Sequence, residues 1–434
     1  MKTRSTLTIL WLTALLGVSA LVALAAPTDD PSAPAVLAAP RDVCLSGQSG
    51  NWSSNSTWST CDSDGIPDGD DIVIINNGHT VTLDSGGGAA YQLIVGGGTS
   101  GTLTHDTGSQ TLLAGAGGVS VSNGATFNAP ENVIIYTGAG LTVNGTFNGG
   151  SGNIQVDGDV NISSYGTLTS PSGTLMISGN FTNNGTFNHN NGTLAMSDSV
   201  VKSIGGSNLT FYNLTINNSA GVNLTSNATV NGMLTLNYDL NVGSGYALTM
   251  GGSATTQGNA DVVGVTYRSS LGTGTGYTFG STYTVITFTN GTPPTNLSVQ
   301  LFKSAPGGLA NAVQRYYSIT PTGGSGYTFD LQLHYLDSEL NGTTEGNLQM
   351  WQQVNGRWTL RSVTSRDTSN NWVQKTGLNS FSLWSLSDSG APTAVTLSTF
   401  EARADAPSAL PFIGLGALAV VMLGVVVWRR TMSQ

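Results

Sequence analysis

One tetrapeptide recurs four times in the chain, as Ala125-Thr126-Phe127-Asn128, Gly145-Thr146-Phe147-Asn148, Gly166-Thr167-Leu168-Thr169 and Gly185-Thr186-Phe187-Asn188. The apolar residues at its third position are separated by 20, 21 and 19 positions. Around each copy apolar and polar residues alternate, and Asn-Gly and Gly-Gly pairs interrupt the alternation. Alternation with period two is typical of β-strands. The sequence therefore predicts short strands that repeat about every 20 residues.

Two all-β architectures fit this pattern. Short strands with frequent turn signals are typical of a sandwich of hairpins. Recurrence of the same residue type favours a parallel β-solenoid, because stacked coils place equivalent residues above one another every ~4.8 Å. We predict a right-handed parallel β-helix, with about nine coils from Ile72 to Val262. Looser copies of the repeat are expected at Gly101-Thr102-Leu103, Gly192-Thr193-Leu194 and Gly232-Met233-Leu234.

The parallel β-helix predicts two specific arrangements of side chains. The repeated apolar residues should form an internal stack of Phe127, Phe147, Leu168 and Phe187. The polar residues that follow them should form a ladder at a corner, made of Asn128, Asn148 and Asn188.

Composition points to an exported protein. Of 434 residues only 9% are charged and 58 are glycine, whereas an ordinary cytosolic domain has roughly 25% charged residues. The formal net charge is −10, with 14 Lys and Arg against 24 Asp and Glu. Nucleic-acid binding needs clustered cations, so the composition argues against a nucleic-acid partner.

The two ends predict the membrane topology. Lys2 and Arg4 precede an apolar run and the small-residue site Ala23-Leu24-Ala25, so residues 1–25 are predicted as a helical secretory signal peptide, with an uncleaved anchor as the alternative. Ala409 to Trp428 is free of charge, spans about 30 Å as a helix, and is followed by Arg429-Arg430. Arginines favour the cytoplasmic side. We expect a single-pass protein of the cell membrane with its bulk extracellular.

The segments between these ends complete the predicted domain organisation. A linker at 26–42 leads into the capped parallel β-helix at 43–262, and a small antiparallel β-sandwich follows at 263–387. The sandwich is predicted because the ~20-residue repeat disappears there while aromatic, alternating segments become frequent. A linker at 388–408, the transmembrane helix at 409–428 and a cytoplasmic tail at 429–434 follow.

Several motifs resemble those of bacterial surface proteins. The Trp52/Trp58 pair with Gly78-His79-Thr80-Val81-Thr82-Leu83 resembles the glycine-rich extracellular module that opens bacterial β-helix proteins. Arg315-Tyr316-Tyr317 and Phe381-Ser382-Leu383-Trp384 resemble strands of their C-terminal modules. The end of the chain resembles a sorting and anchoring tail, although Ile413 replaces the threonine of the sortase motif. The resemblance implies a cell-surface parallel β-helix protein of a bacterial envelope.

Two local features predict stabilising sites. Cys44 and Cys61 are the only cysteines of an exported chain, so a disulfide is expected, worth about 3 kcal/mol in the chain-entropy model. The segment from Asp62 to Asp71 resembles the calcium loops of thrombospondin-type repeats. The predicted calcium ligands are Asp62, Asp64, Asp68 and Asp70, with a solvated acidic turn as the alternative.

Catalysis is not expected. Parallel β-helices that cleave acidic polysaccharides need a positioned cation, but between Tyr91 and Ala260 the only Lys or Arg is Lys202. A hydrolase would need a carboxylate pair such as Asp157 with Asp159, for which two surface aspartates at a turn are the alternative. We predict a structural or adhesive surface protein that is not an enzyme and has no catalytic residue or cofactor apart from calcium. Its expected partners are the membrane, surface glycans and other envelope proteins. The alternatives are a carbohydrate-active enzyme of lyase or hydrolase type, and a glycan-binding module using Trp351, Trp358 and Trp372.

Overall fold

The computed structural model describes residues 42–61, 65–84, 86–108, 110–136 and 138–388. In this part the chain is all β: a parallel β-solenoid of about nine turns precedes antiparallel sheets. Its helical segments are three 3₁₀ turns, at Asn55–Thr57, Asp337–Glu339 and Glu345–Asn347. None of the described helices could cross a bilayer. The predicted signal segment 1–25 and the predicted span 409–428 lie outside the described residues.

The solenoid region contains short strands connected by tight turns. They are β1 (Val43–Ser46), β2 (Gly50–Asn51), β3 (Trp58–Ser59), β4 (Ile72–Ile75), β5 (Thr80–Leu83), β6 (Gly88–Val95), β7 (Thr102–His105), β8 (Thr111–Val121), β9 (Thr126–Asn128), β10 (Asn132–Ile135), β11 (Leu141–Val143), β12 (Thr146–Asn148), β13 (Asn153–Val156), β14 (Val160–Ile162), β15 (Thr167–Thr169), β16 (Thr174–Ile177), β17 (Phe181–Asn183), β18 (Thr186–Asn188), β19 (Thr193–Met196), β20 (Lys202–Gly206), β21 (Leu209–Phe211), β22 (Asn213–Ile216), β23 (Val222–Leu224), β24 (Ala228–Val230), β25 (Met233–Leu236), β26 (Leu240–Val242), β27 (Leu248–Met250), β28 (Thr255–Gly258) and β29 (Val262–Ser269).

Three parallel stacks of strands form the walls of the solenoid. Stack 1 contains the first parts of β6 and β8, then β10, β13, β16, β19, β22, β25 and β28. Stack 2 contains β1, β4, the second parts of β6 and β8, then β11, β14, β17, β20, β23, β26 and the start of β29. Stack 3 contains β2, β5, β7, β9, β12, β15 and β18, then β21, β24, β27 and the end of β29. From β6 onward each coil therefore passes once through each wall, whereas β1 with β2 and β4 with β5 contribute to stacks 2 and 3 only.

The predicted internal stack is confirmed in stack 3. Phe127 pairs in register with Phe147, Phe147 with Leu168, and Leu168 with Phe187. All four side chains are buried, and the rings of Phe127 and Phe147 meet edge to face with centroids 4.9 Å apart. Strand pairing is interrupted after β18, where Phe187 and Phe211 keep their rings 5.8 Å apart. The repeat therefore marks equivalent positions on one wall of the solenoid.

Two finer expectations about the repeat are only partly met. Asn148 Nδ2 donates to Asn128 Oδ1 at 2.8 Å, as the polar ladder requires, but Asn188 Nδ2 bonds the hydroxyl of Thr169 at 3.4 Å. The looser copies at 192–194 and 232–234 were assigned to this repeat wrongly. They lie on β19 and β25 in stack 1, with Leu194 and Leu234 both in register with Leu214. Glycine precedes strands of all three stacks, as Gly192, Gly221 and Gly185 show, so a glycine followed by a strand does not identify the stack to which that strand belongs.

The N-terminal end is closed by a small cap. Strand β1 pairs parallel with β4 and antiparallel with β3. The predicted disulfide between Cys44 and Cys61 is confirmed and joins β1 to the end of the cap. Trp52 and Trp58 pack edge to face, with centroids 5.2 Å apart, and Trp58 Nε1 donates to the Trp52 carbonyl. These contacts cover the apolar interior of the first coil, which a solenoid must shield from water.

The C-terminal part is antiparallel. Its strands are β30 (Gly276–Thr278), β31 (Val285–Thr292), β32 (Asn296–Phe302), β33 (Ala312–Thr322), β34 (Ser325–His334), β35 (Gln349–Val354), β36 (Arg357–Leu360), β37 (Ser365–Asp367), β38 (Trp372–Leu378) and β39 (Leu383–Ser387). One sheet has the order β29-β32-β33-β39-β35-β36, and the other the order β30-β31-β34-β38-β37. Val299 and Trp384 of the first sheet share one apolar cluster with Phe288 and Leu331 of the second.

Strand β29 connects the solenoid to the antiparallel part. Its residues pair parallel with β26 and β27, and antiparallel with β32. It therefore crosses the predicted boundary at 262–263 without a break. Continuing the last solenoid strand into an antiparallel pair covers an edge that would otherwise expose unpaired backbone groups.

Candidate functional site

The acidic loop before β4 brings three carboxylates together. Ligand oxygens of Asp68, Asp70 and Asp71 lie within 4.8 Å of one another. Asp68 and Asp70 were predicted as calcium ligands; buried Asp71, the residue before β4, was not. Asp62 and Asp64 lie outside the described residues. Carboxylate oxygens in a glycine-containing loop are suitable donors for a hard cation, so calcium binding stays a prediction.

Hydrogen bonds inside this loop fix its shape. The Asp68 N–H donates to Asp71 Oδ2 at 3.0 Å, and the Asp70 N–H donates to Asp68 Oδ1 at 2.9 Å. The same bonds would form in a solvated acidic turn, because Asp commonly accepts from backbone N–H groups two or three residues away. Both interpretations of the loop are therefore consistent with this geometry.

The turns that lead from stack 1 to stack 2, which we name the first corner, carry several charged groups of the solenoid. Asp157 and Asp159 lie in one coil, and Asp198 with Lys202 lies two coils further along. These four side chains line one surface depression. The first corner is therefore where the structure gathers the candidate catalytic carboxylates and the one cation available to them.

Each of these charged groups already has a protein partner. Asp159 Oδ1 accepts from the backbone N–H of Asn180 at 2.7 Å, and Asp157 Oδ1 accepts from Gln155 Nε2 at 2.9 Å. Asn180 continues the ladder, since its Oδ1 accepts from the Ser203 N–H at 2.9 Å. The carboxylates thus bond to their own and neighbouring coils.

Lys202 is paired with Asp198 at 2.9 Å. Burial raises the pKa of Asp198, but the Lys202 ammonium and the backbone N–H of Ser199 lower it by more, and the pKa lies below its ordinary value. A general acid needs a raised pKa to stay protonated near neutral pH. Asp198 is therefore suited to an ion pair rather than to donating a proton.

A cluster of charged side chains is buried where the solenoid meets the antiparallel part. Arg315 on β33 places Nη2 2.6 Å from Asp261 Oδ2 and Nε 2.7 Å from Glu339 Oε2. Asp261, which precedes β29, and Arg315 are completely buried, and Glu339 nearly so. We name Asp261, Arg315, His334 and Glu339 the junction cluster.

The remaining contacts saturate the junction cluster. His334 Nδ1 lies 3.1 Å from Asp261 Oδ1, and Lys303 Nζ lies 2.7 Å from Asp239 and 3.4 Å from Asp261. Burial raises the pKa of Asp261, but the charge of Arg315 and the hydrogen bond from His334 outweigh it and hold the pKa well below its usual range. Asp261 is therefore ionised, and its carboxylate is fully engaged in joining the two parts of the chain.

Arg268 forms a second connection at this end. Its Nη1 and Nη2 donate to the carbonyls of Gly251 and Ala254 at 2.9 and 2.6 Å, and its Nε donates to the Thr278 carbonyl at 2.7 Å. The guanidinium thus bonds carbonyls of the last coil and of β30. One side chain satisfies backbone acceptors on both sides of the junction.

Arg315 belongs to a strand motif in the sequence, whereas Asp261 and Glu339 lie in no predicted site. A signal was present for Asp261: Asn237-Tyr238-Asp239-Leu240 and Asn259-Ala260-Asp261-Val262 occupy equivalent turns 22 residues apart. Asp239 Oδ1 accepts the Asp261 N–H at 3.1 Å. The repeat therefore indicated a corner position, but not its burial.

The proposed tryptophan platform for glycans is not exposed. Trp351 is fully buried and Trp358 is 8% exposed, and both pack against Leu309 and Ala312. Trp372 is partly exposed. The expectation for Trp351 and Trp358 was wrong because strand alternation does not reveal which face of a sheet is covered by a loop.

Comparison of the chain with protein-family models, with curated proteins and with solved structures finds no match. The fold class is a β-solenoid joined to antiparallel sheets.

Proposed function

We propose that the protein is a membrane-anchored, outward-facing structural or adhesive protein of a bacterial cell surface, which presents the β-solenoid as a rod. The observation that carries this proposal is how the solenoid uses its charged groups. At the first corner, Asp157, Asp159 and Lys202 bond to neighbouring residues. At the C-terminal end of the solenoid, Asp261 forms an ion pair with Arg315 of the antiparallel part. Side chains committed to such contacts stabilise a scaffold.

The location proposed for this rod rests on the sequence. An apolar N-terminal run behind Lys2 and Arg4 suits export, and the uncharged segment 409–428 before Arg429-Arg430 suits a bilayer span. The antiparallel part would then act as a spacer between rod and membrane. The disulfide between Cys44 and Cys61 suits an oxidising compartment outside the cytoplasm.

Protease protection tests this topology. Intact cells expressing the protein with a C-terminal tag are treated with protease, and the tag and the solenoid are followed separately by immunoblot. We expect loss of the solenoid while the tag stays protected. Digestion of the tag from outside, or recovery of the uncut chain in the soluble fraction after lysis, would refute the proposal.

A carbohydrate-active enzyme is the second candidate, and one observation favours it. One depression is lined by Asp157, Asp159, Asp198 and Lys202. Glycoside hydrolases use pairs of carboxylates to cleave glycosidic bonds. The purified full-length protein in detergent is incubated with acidic and neutral polysaccharides, and reducing ends and unsaturated products are measured. Asp157→Asn or Asp159→Asn should abolish any enzymatic turnover, and the control Asp106→Asn, on another turn, should leave it intact. That result would replace the structural proposal by the enzymatic one.

A further inference from the structure

A second depression lies in the antiparallel part. It is lined by Gln352, Leu360, Arg361, Lys375, Leu378 and Asn379. We name it the cationic depression. Directly paired residues of an antiparallel sheet point to the same face. Lys375 pairs with buried Leu331 and Gln352 pairs with buried Trp384, so both side chains point into the space between the two sheets.

The Arg361 guanidinium is held in place from behind. Its Nε donates to Gln352 Oε1 at 2.8 Å, and Gln352 is only 2% exposed. Gln352 is fixed in turn, because its Nε2 donates to the Ser380 carbonyl at 2.9 Å. This leaves the terminal nitrogens of Arg361 with no hydrogen-bond partner among the described residues. A guanidinium fixed through Nε can present both terminal nitrogens to one oxyanion.

Five of the described Lys and Arg side chains form no carboxylate pair, among them Arg361 and Lys375. Of the other three, Arg268 and Arg366 bond backbone carbonyls and Arg357 is exposed. Lys202, Lys303 and Arg315 each pair with a carboxylate. Within the described part of the chain neither Arg361 nor Lys375 forms such a pair, although both are half-buried. In a protein with 24 acidic and 14 basic residues, two half-buried cations that line one depression without a carboxylate partner favour binding of an external anion.

The other lining groups suit a sugar. Leu360 lines the depression and is 40% exposed, so it is the apolar group open to the C–H face of a ring; Leu378, which also lines the depression, is only 8% exposed. Asn379 is exposed and its amide can donate to and accept from hydroxyl groups. Gly377, which also lines the depression, donates its N–H to Asp330 Oδ1 at 3.0 Å.

We propose that the cationic depression binds the oxyanion of an acidic saccharide, with Arg361 and Lys375 pairing its charge. The oxyanion could be the carboxylate of a uronic acid or a sulfate group, and the two share this recognition. Such a site would give the rod an adhesive function at its base, so its biological meaning rests on the proposed function. The test uses purified protein, and its failure would leave the protease-protection result standing.

The test is calorimetric titration of the detergent-solubilised full-length protein with a galacturonate trisaccharide, with sodium sulfate, and with a neutral galactose trisaccharide. We expect saturable binding of the galacturonate that weakens with added salt, and none of the neutral sugar. Arg361→Gln and Lys375→Met should each weaken binding about tenfold or more, since each removes a charged hydrogen-bonding partner. Arg357→Gln, which removes an exposed charge from β36 outside the depression, should leave it unchanged.

The arms separate the sources of the anion. Galacturonate binding that exceeds sulfate binding identifies a carboxylate sugar, and the reverse order identifies a sulfate group. Thermal unfolding of each variant checks that it folds. If Arg361→Gln does not fold, Lys375→Met provides the test, because it leaves the contact between Gln352 and Arg361 intact. Absence of saturable binding to either anion, or equal weakening by all three substitutions, would overturn the proposal.

Discussion

Replacement of Arg315 by methionine should destabilise the protein strongly. The substitution removes the guanidinium that contacts Asp261 at 2.6 Å and Glu339 at 2.7 Å. Methionine fills much of the same volume without charge, so the main effect is two nearly solvent-free carboxylates that lose their principal partner. Breaking a buried ion pair on one side costs about 3–5 kcal/mol. Lys202→Met is the matched control, because its pair with Asp198 is partly exposed and should be worth about 0–1 kcal/mol.

The pH dependence provides a second measure of the same network. The pKa of Asp261 is held well below its usual range in the folded protein, whereas an unfolded Asp titrates near ~3.9. A lowered folded-state pKa gives stability that is complete above the unfolded value and is lost as pH falls below it. The difference in unfolding free energy between the wild type and Asp261→Asn should therefore shrink as the pH falls below about 4.

The assay is urea unfolding of the full-length protein in detergent, followed by the fluorescence of buried tryptophans such as Trp351 and Trp384. The triple variant Arg315→Met, Asp261→Leu, Glu339→Leu should recover most of the loss, because it removes the stranded charges as well. A loss below about 1 kcal/mol for Arg315→Met, equal to that of Lys202→Met, would refute the view that the junction cluster holds the two parts together.

Three further predictions concern the solenoid and its cap. Phe147→Ala should cost about 3–5 kcal/mol in urea unfolding, because Phe147 is buried between two in-register neighbours; Tyr165→Ala, at a side chain 81% exposed, should change it by less than about 0.5 kcal/mol. Replacing Cys44 and Cys61 by serine should cost about 3 kcal/mol and remove the sensitivity of the wild type's melting temperature to reductant. If the acidic loop binds calcium, chelation should lower the melting temperature of the wild type but not of Asp68→Asn; unchanged melting of the wild type would support a solvated turn.

The internal stack could be predicted because its signal is linear in the sequence. A residue type that returns every 19 to 21 positions measures the length of one coil, and Phe127 over Phe147 follows directly. The assignment failed at 192–194, where a similar tripeptide belongs to another wall. Turn lengths decide which wall a strand joins, and these vary from coil to coil. Local pattern therefore predicted the solenoid better than it predicted the position of each strand.

The disulfide could also be predicted, because two cysteines allow only one pairing. The cationic depression could not: Arg361 and Lys375 come together only through the pairing of β35 with β39 and of β34 with β38. Neither cation lies in a recognisable motif. Their proximity depends on how two sheets pack, which alternation in single strands does not specify.

The junction cluster is difficult to predict from the sequence because strand pairing brings its members together from separate segments. A solenoid must cover its last coil, and this chain does so by turning β29 from a parallel into an antiparallel partner. That change brings Arg315 against a corner aspartate 54 residues earlier in the chain. Once the apolar sheets exclude water there, a single unpaired charge would be costly, so Asp261, Arg315 and Glu339 must be present together. Their interdependence follows from the three-dimensional pairing of strands, and no spacing within one segment expresses it.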